Sequence, residues 1–198
     1  LGIGTKQSDG IYAYNPAEYK LQGRRSKKTE FVQAAEMELL GGKNFDKLIV
    51  VATEKSKNTH FSKLESQLSL QGAQNIIPLI IEEDMSPAGQ WKWFEQLLQY
   101  IGVGDQLTVD LTHGYRMIPI VFSTAINFLQ KSRRIELKAV YYGVFEKVRE
   151  LGYAPIQDMK EFYVINEWAE AVSRLVEDAD AGKISGLTQL CPEFQIGE

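Results

Sequence analysis

The sequence predicts an α/β fold: a mainly parallel sheet with helices on both faces, a small hairpin inserted after the first strand, and a long helix near the C-terminal end. Three observations carry that expectation. Strand-like and helix-like segments alternate along the chain with short connections. Strand-like runs such as Leu48-Ile49-Val50-Val51-Ala52 are continuously apolar, as in strands buried on both faces. The stretch Gln106 to Arg116 ends in Asp110, Thr112, His113, Gly114 and Arg116, directly before a strongly hydrophobic helix. That arrangement sets polar groups at the tip of a buried strand, where open parallel sheets bind their ligands.

Taken in order, Leu1 to Thr5 reads as the tail of a first strand, which implies residues upstream of Leu1. Tyr12 to Tyr14 and Glu18 to Leu21, separated by Asn15-Pro16, read as the inserted hairpin. Polar Gln22 to Lys28 leads into a helix with Thr29 as its N-cap. Phe31, Val32, Ala35, Leu39 and Leu40 form its apolar face, and Gly41-Gly42 stops it. Lys47 to Thr53 is a strand, Asn58 to Gln71 a helix ended by Gly72, and Asn75 to Glu82 a strand closed by Glu82-Glu83-Asp84. Ser86 followed by Pro87 is an N-cap with proline at the first helical position, so Pro87 to Ile101 is expected to be helical, with Trp91, Phe94, Leu97, Leu98 and Ile101 inward. Met117 to Leu129 is apolar on nearly every side and needs cover on two faces. Ile135 to Phe145 is a strand, with Lys147 to Ala154 as its hairpin partner. Asp158 and Glu161 have capping-box spacing before a helix whose stripe is Phe162, Ile165, Ala169, Val172, Val176 and Ala179. That stripe is a ready interface.

Composition excludes several classes of function. A chain of 198 residues with 44% hydrophobic content builds one good core, which favours one domain over two. Acidic residues number 26 against 22 basic, and the net charge of −4 argues against coating duplex nucleic acid through an overall field. Cys191 is the only cysteine and His60 and His113 the only histidines, so no internal disulfide and no zinc cluster is expected. A reducing, cytoplasmic setting follows from that cysteine usage. No apolar run reaches the roughly 18 residues that span a bilayer, although an anchor upstream of Leu1 stays open.

Several segments invite chemistry. Gly2-Ile3-Gly4-Thr5-Lys6 fails the Walker and dinucleotide fingerprints, yet small residues at a strand tip let backbone N–H groups approach an anion, and Lys6 adds charge. Thr53, Lys55, Lys57 and Asn58 follow the second core strand and share an edge with Thr5 and Lys6 in a parallel sheet; taken alone they read as a solvated loop. Thr112-His113-Gly114-Tyr115-Arg116 places a histidine and an arginine together, a set suited to a phosphodiester. Asp110, inside the strand, reads as a structural hydrogen-bond acceptor. Tyr141, Tyr142 and Gly143 offer either stacking surface for a base or ordinary core. The acidic run at Glu82 reads as a solvated turn rather than a magnesium site.

Together these segments resemble the CRISPR-associated Rossmann-fold (CARF) family, the sensor domains of type III CRISPR ancillary proteins. The resemblance runs from Leu1 to about Leu187 and rests on L-G-x-G-T at Leu1, the Tyr12 to Tyr19 hairpin, T-x-F-V-Q-x-A at Thr29 to Ala35, L-I-V-V-A-T at Leu48 to Thr53, D-L-T-H-G-Y-R at Asp110 to Arg116 and Y-Y-G at Tyr141 to Gly143. It implies a Rossmann-like ligand-sensing domain over residues 1–181, followed by a tail or linker at 182–198. It further implies a homodimer that binds a cyclic oligoadenylate, most often cyclic tetra-adenylate, across its two-fold axis. Under that resemblance Gly4, Thr5, Lys6, Lys55 and Arg116 meet phosphates, Thr53, Thr112, His113 and Tyr142 read or stack adenines, and Gly114 belongs to the same ligand-binding set. No metal and no cofactor is implied. Some members also cleave their ligand: a ribose 2′-OH attacks the adjacent phosphorus and leaves a 2′,3′-cyclic phosphate. Lys6, Arg116 and His113 are then the catalytic candidates. The family's usual effector, a ribonuclease domain with an arginine shortly before a histidine, has no counterpart here, because no arginine lies closely upstream of His60 or His113. An effector is therefore expected upstream or downstream of these residues.

Overall fold

The computed structural model describes residues 5–6, 12–84, 86–113 and 118–178. Two compact units divide the chain at Asp158. In the first unit, β1 (Thr5–Lys6) pairs antiparallel with β2 (Tyr12–Ala13), Lys6 opposite Tyr12. A five-stranded mixed sheet contains β3 (Tyr19–Leu21), β4 (Arg24–Arg25), β7 (Gln106–Asp110), β8 (Glu136–Gly143) and β9 (Ala154–Asp158), in the order β4-β3-β9-β8-β7. β3 runs parallel to β9 and β7 parallel to β8, whereas β3/β4 and β8/β9 are antiparallel. β5 (Leu48–Ala52) and β6 (Ile76–Ile80) form a parallel pair. The architecture is α/β and roughly Rossmann-like, with antiparallel strands mixed into the parallel framework.

The hairpins differ from the sequence expectation. Tyr12–Ala13 folds back on Thr5–Lys6, not on Glu18 to Leu21. Residues Tyr19–Leu21 instead turn through Gln22 (φ 49°) and Gly23 (φ 82°) into Arg24–Arg25. Two consecutive left-handed residues match the right-handed twist of a tight hairpin. The partner of β8 is Ala154–Asp158; the segment expected to pair, from Lys147, contributes a 3-10 turn (Phe145–Lys147) and the short helix α6 (Val148–Leu151).

Helix α1 (Val32–Leu40) starts after Phe31, so Thr29 is not its N-cap. Thr29 lies in a bridge with Ala17, and its hydroxyl accepts from the Phe31 N–H and donates to Gln67. Gly41, at φ 82°, ends the helix as expected, returning its N–H to the Met37 carbonyl. The helix is buried on two faces. Val32, Ala35 and Leu39 pack with Tyr19, Tyr141 and Ile156 of the mixed sheet, while Phe31, Ala34 and Met37 join Val50, Leu64 and Leu68. Gly42, next to this stop, has Ala73 N and Gln71 O each 2.6 Å from where a Cβ would sit. Backbone cannot rotate away, so Gly42→Ala is expected to lower stability by about 1–3 kcal/mol, measurable by urea unfolding.

The segment after β5 is helical from Glu54: α2 (Glu54–Ser56), a π-helical turn (Lys57–Phe61) and α3 (Ser62–Leu70). Helix α4 (Pro87–Leu98) has the expected cap, Ser86 Oγ accepting from the Gly89 N–H. It ends at Leu98 rather than Ile101, and its inward face is set by Trp93 and Leu97, one turn apart, so Trp91 points outward at 66% exposure. Arg133, after α5 (Ile118–Ser132), donates to the Leu98 and Ile101 carbonyls at the end of α4. Leu97 and Ile101 share a cluster with Leu79, Ala125 and Leu129. The acidic turn is solvated: Glu82 pairs with Lys92, and Asp84 accepts from Ser86, whose N–H and hydroxyl hold the Asp84 carboxyl below its ordinary pKa.

The second unit contains α7 (Glu161–Asp178). Tyr163, Trp168 and Ala171 are its buried residues, and the expected stripe of Phe162, Ile165, Val172 and Val176 is exposed. Ala179 and residues 182–198 lie outside the described residues. Asp158, expected in a capping box, lies outside α7. It ends β9, where its carboxylate accepts from the Val140 N–H at 3.0 Å.

Candidate functional site

β7 and β8 run in the same direction, so the residues after Asp110 and the Tyr142-Gly143 end of β8 meet at one edge of the sheet. Asp110 organises that edge. Its Oδ1 accepts from the Thr112 N–H (2.9 Å) and the Thr112 hydroxyl (2.5 Å), and its Oδ2 accepts from Gln33 Nε2 of α1 (2.6 Å). The Thr112 hydroxyl in turn accepts from the Gly143 N–H at 2.7 Å. Asp110 is thus the structural acceptor that the sequence suggested, and Thr112 spends its hydroxyl tying the β7 loop to β8. A side chain on Gly143 would crowd Val32 Cγ2 at 3.0 Å and Thr112 Cγ2 at 3.3 Å. The loop and strand therefore touch with no room between them.

His113 follows directly. Its ring lies 4.5 Å from that of Tyr14, centroid to centroid, and the opposite histidine, His60, lies 5.1 Å from the same tyrosine. Phe31 supports the group edge-on, 5.6 Å from Tyr14. Both histidines of the chain thus converge on one tyrosine. His60 reaches it from the π-helical turn after β5, a deformation that recurs at functional sites. Burial lowers the His113 pKa from its ordinary value, partly offset by the Asp110 charge, and Nε2 has no partner among the described residues. The lowered value favours the neutral ring, which leaves one nitrogen unpaired among the described residues.

Two residues before Tyr14, Tyr12 shares its side of the chain. Lys55 Nζ stands 5.2 Å over the Tyr12 ring, and Lys6 lies opposite Tyr12 in the hairpin. Lys6 and Lys55 are both exposed. The segment Tyr12 to Tyr14 therefore joins a cationic end, at Lys6 and Lys55, to the His113 and Thr112 end. Lys57 pairs loosely with Glu54 at 4.0 Å. Thr53 is buried, and its Oγ1 accepts from the Ser56 N–H to cap α2. Tyr142 is half-buried in the β8/β9 ladder, whereas Tyr141 belongs to the core. Gly4, Gly114 and Arg116 lie outside the described residues, as does the side chain of Thr5.

Sequence reasoning missed four contributors: Tyr12, Tyr14, His60 and Gln33. The period of two along Tyr12-Ala13-Tyr14 was a signal for the tyrosines. Nothing local marks Gln33, which meets Asp110 only through the fold. Among the described residues no group of three or more His, Cys, Asp or Glu could hold a metal ion, and no helix is long and apolar enough to cross a membrane.

These features define an α/β, roughly Rossmann-like domain with a polar, aromatic and cationic strand-tip site. No family model matches the chain. It is similar to the CRISPR-associated protein MJ1674 of Methanocaldococcus jannaschii, at 25% identity over an alignment of 240 residues covering 96% of this chain. The alignment takes in 37% of that relative's length.

Proposed function

We propose that this chain is a sensor domain of type III CRISPR signalling that binds a cyclic oligoadenylate, cyclic tetra-adenylate first among them, across a homodimer and controls an effector outside these residues. The observation that carries the reading is the single strand-tip surface running from Lys6 and Lys55 through Tyr12 and Tyr14 to His113 and Thr112. Cations suit the phosphates, and rings suit the adenines. A ring with internal two-fold symmetry can be held by two copies of one surface. The exposed stripe of α7, from Phe162 to Val176, offers apolar area for such an association.

A second reading, a metal-independent ring nuclease acting on the same ligand, is favoured by His113. A neutral imidazole with an unpartnered Nε2 is the form that accepts a proton from a ribose 2′-OH. Lys6 and Arg116 would then stabilise charge on the phosphorane, and the product would be a linear 2′,3′-cyclic phosphate.

Incubating the protein with labelled cyclic tetra-adenylate in EDTA separates the two. A tight complex with an intact ring supports the sensor, linear product supports the nuclease, and failure to bind any cyclic oligoadenylate removes both. Arg116→Ala is expected to weaken binding and reduce its salt dependence. Unchanged affinity across a salt series would take Arg116 out of the site.

A further inference from the structure

Behind the strand-tip site, α1 carries the buried Glu36 and the half-buried Gln33, whose Oε1 is itself buried. Glu36 is 4% exposed, in a helix face otherwise packed with Val32, Ala35 and Leu39. Gln33 precedes it by three residues and so occupies the same side of the helix. Gln33 Nε2 donates to Asp110 Oδ2, and because a carboxylate only accepts, that bond fixes which branch of the amide is the nitrogen. The other branch, Gln33 Oε1, is buried without a partner, and so is Glu36 Oε1. Two buried acceptors lacking donors, on adjacent turns, are costly. A protonated Glu36 has one O–H to donate, and Gln33 Oε1 is an unpartnered acceptor one helical turn away.

We propose that Glu36 is a positioning residue for the ligand-binding loop: as a neutral carboxylic acid it donates to Gln33 Oε1, locking the amide whose nitrogen holds Asp110. The chain of contacts then runs from Glu36 through Gln33 to Asp110, from Asp110 to the Thr112 N–H and hydroxyl, and from Thr112 to the Gly143 N–H. No base or phosphate is touched by Glu36. It sets how firmly the loop bearing His113 is held.

The surroundings keep Glu36 protonated. Burial pushes its pKa well above the ordinary carboxylate range, and the negative charge of Asp110 on β7 adds to the push. Tyr19 on β3 and Tyr141 on β8 also face it; burial, and then nearby carboxylates including Glu36, raise both phenols, Tyr19 to about 12. Asp158 on β9 acts on the same Tyr141. None of these named neighbours is a cation that would stabilise a Glu36 carboxylate.

The sign of the pH effect follows. The folded state holds the Glu36 proton where the unfolded chain has released it, so stability falls as pH rises from the unfolded value toward the raised one. Glu36→Gln, isosteric and still a donor, is therefore expected to keep the loop in place and to remove that decline. Glu36→Leu removes the donor.

The test is amide hydrogen exchange at Thr112 and Gly143 across pH, corrected for intrinsic rates, with the Glu36 carboxyl followed by carbon NMR. Wild type is expected to show a late-titrating Glu36 and protection that fades as it titrates. Glu36→Gln should hold its protection at every pH. In Glu36→Leu these two amides should exchange about tenfold faster, as for one lost buried hydrogen bond. Glu36 titrating with the surface carboxylates, or Glu36→Leu leaving both amides as protected as wild type, overturns the proposal. The inference concerns the site proposed above, but these readouts need no ligand. Failure to bind cyclic tetra-adenylate would remove the sensor reading and leave this test standing.

Discussion

Phe31→Ala is expected to cost about 3–5 kcal/mol, the loss typical of emptying a fully buried phenylalanine site. Phe31 is 0% exposed and packs at the junction of α1, β5 and α3, with Val50, Leu64 and Leu68 around it. For a chain of this size the midpoint of thermal unfolding should fall by roughly 6–20 °C. The site should suffer beyond the loss of stability. Phe31 is edge-on to Tyr14, 5.6 Å away, and lies 6.2 Å from His60, while Tyr14 stacks against His113. Removing it leaves Tyr14 without a floor, so the ring signals of His113 and His60 should move together in an NMR spectrum recorded below the new midpoint. A loss under about 1 kcal/mol, or histidine signals that stay in place, would show that Phe31 does not hold the cluster. Phe31→Leu, which refills much of the volume, should cost less and perturb the rings less.

Asp110→Ala is the second large effect. It deletes three hydrogen bonds to one carboxylate, from the Thr112 N–H, the Thr112 hydroxyl and Gln33 Nε2. Bonds to a charged acceptor are worth about 1.5–3 kcal/mol each, but the three share one part-buried carboxylate whose own desolvation offsets part of the gain, so the net loss is expected to be about 2–4 kcal/mol. The sharper signature is electrostatic. Removing the Asp110 charge takes away the second cause of the raised Glu36 pKa, so Glu36 should titrate at a lower pH in the variant, with burial still holding it above the ordinary range. Tyr19, raised by burial and then by Asp110, should shift down as well. Ligand affinity should fall in parallel, because Thr112 and His113 lose their tether to the end of β7 and, through Gln33, to α1. A variant with wild-type stability and an unmoved Glu36 titration would contradict both parts.

Much of the fold could be read from local pattern. The apolar run of β5, the Ser86-Pro87 start of α4 and the Gly41 stop of α1 each depend on residues a few positions apart, and each is where the sequence placed it. Trp91 and Trp93 show the limit. Both lie on α4 with apolar neighbours at helical spacing, and only the tertiary structure decides that Trp93 turns in, beside Leu79 and Leu97, while Trp91 stays exposed. Thr29 shows the same limit for caps. It has the right chemistry near a helix start, yet it is drawn into a bridge with Ala17, a partner distant in sequence.

For the site, the sequence by itself determined the strand tip: Asp110 as acceptor, Thr112 and His113 after it, and cationic Lys6 and Lys55 at other tips of the same fold. Those are consequences of residue type and of where a buried strand must end. Only the tertiary structure decided that His60 and His113 share Tyr14, that Lys55 stands over Tyr12, and that Gln33 and Glu36 stand behind Asp110. Periodicity fixes which face a side chain takes within its own element. It carries no information about which other face, tens of residues away, will be packed against it.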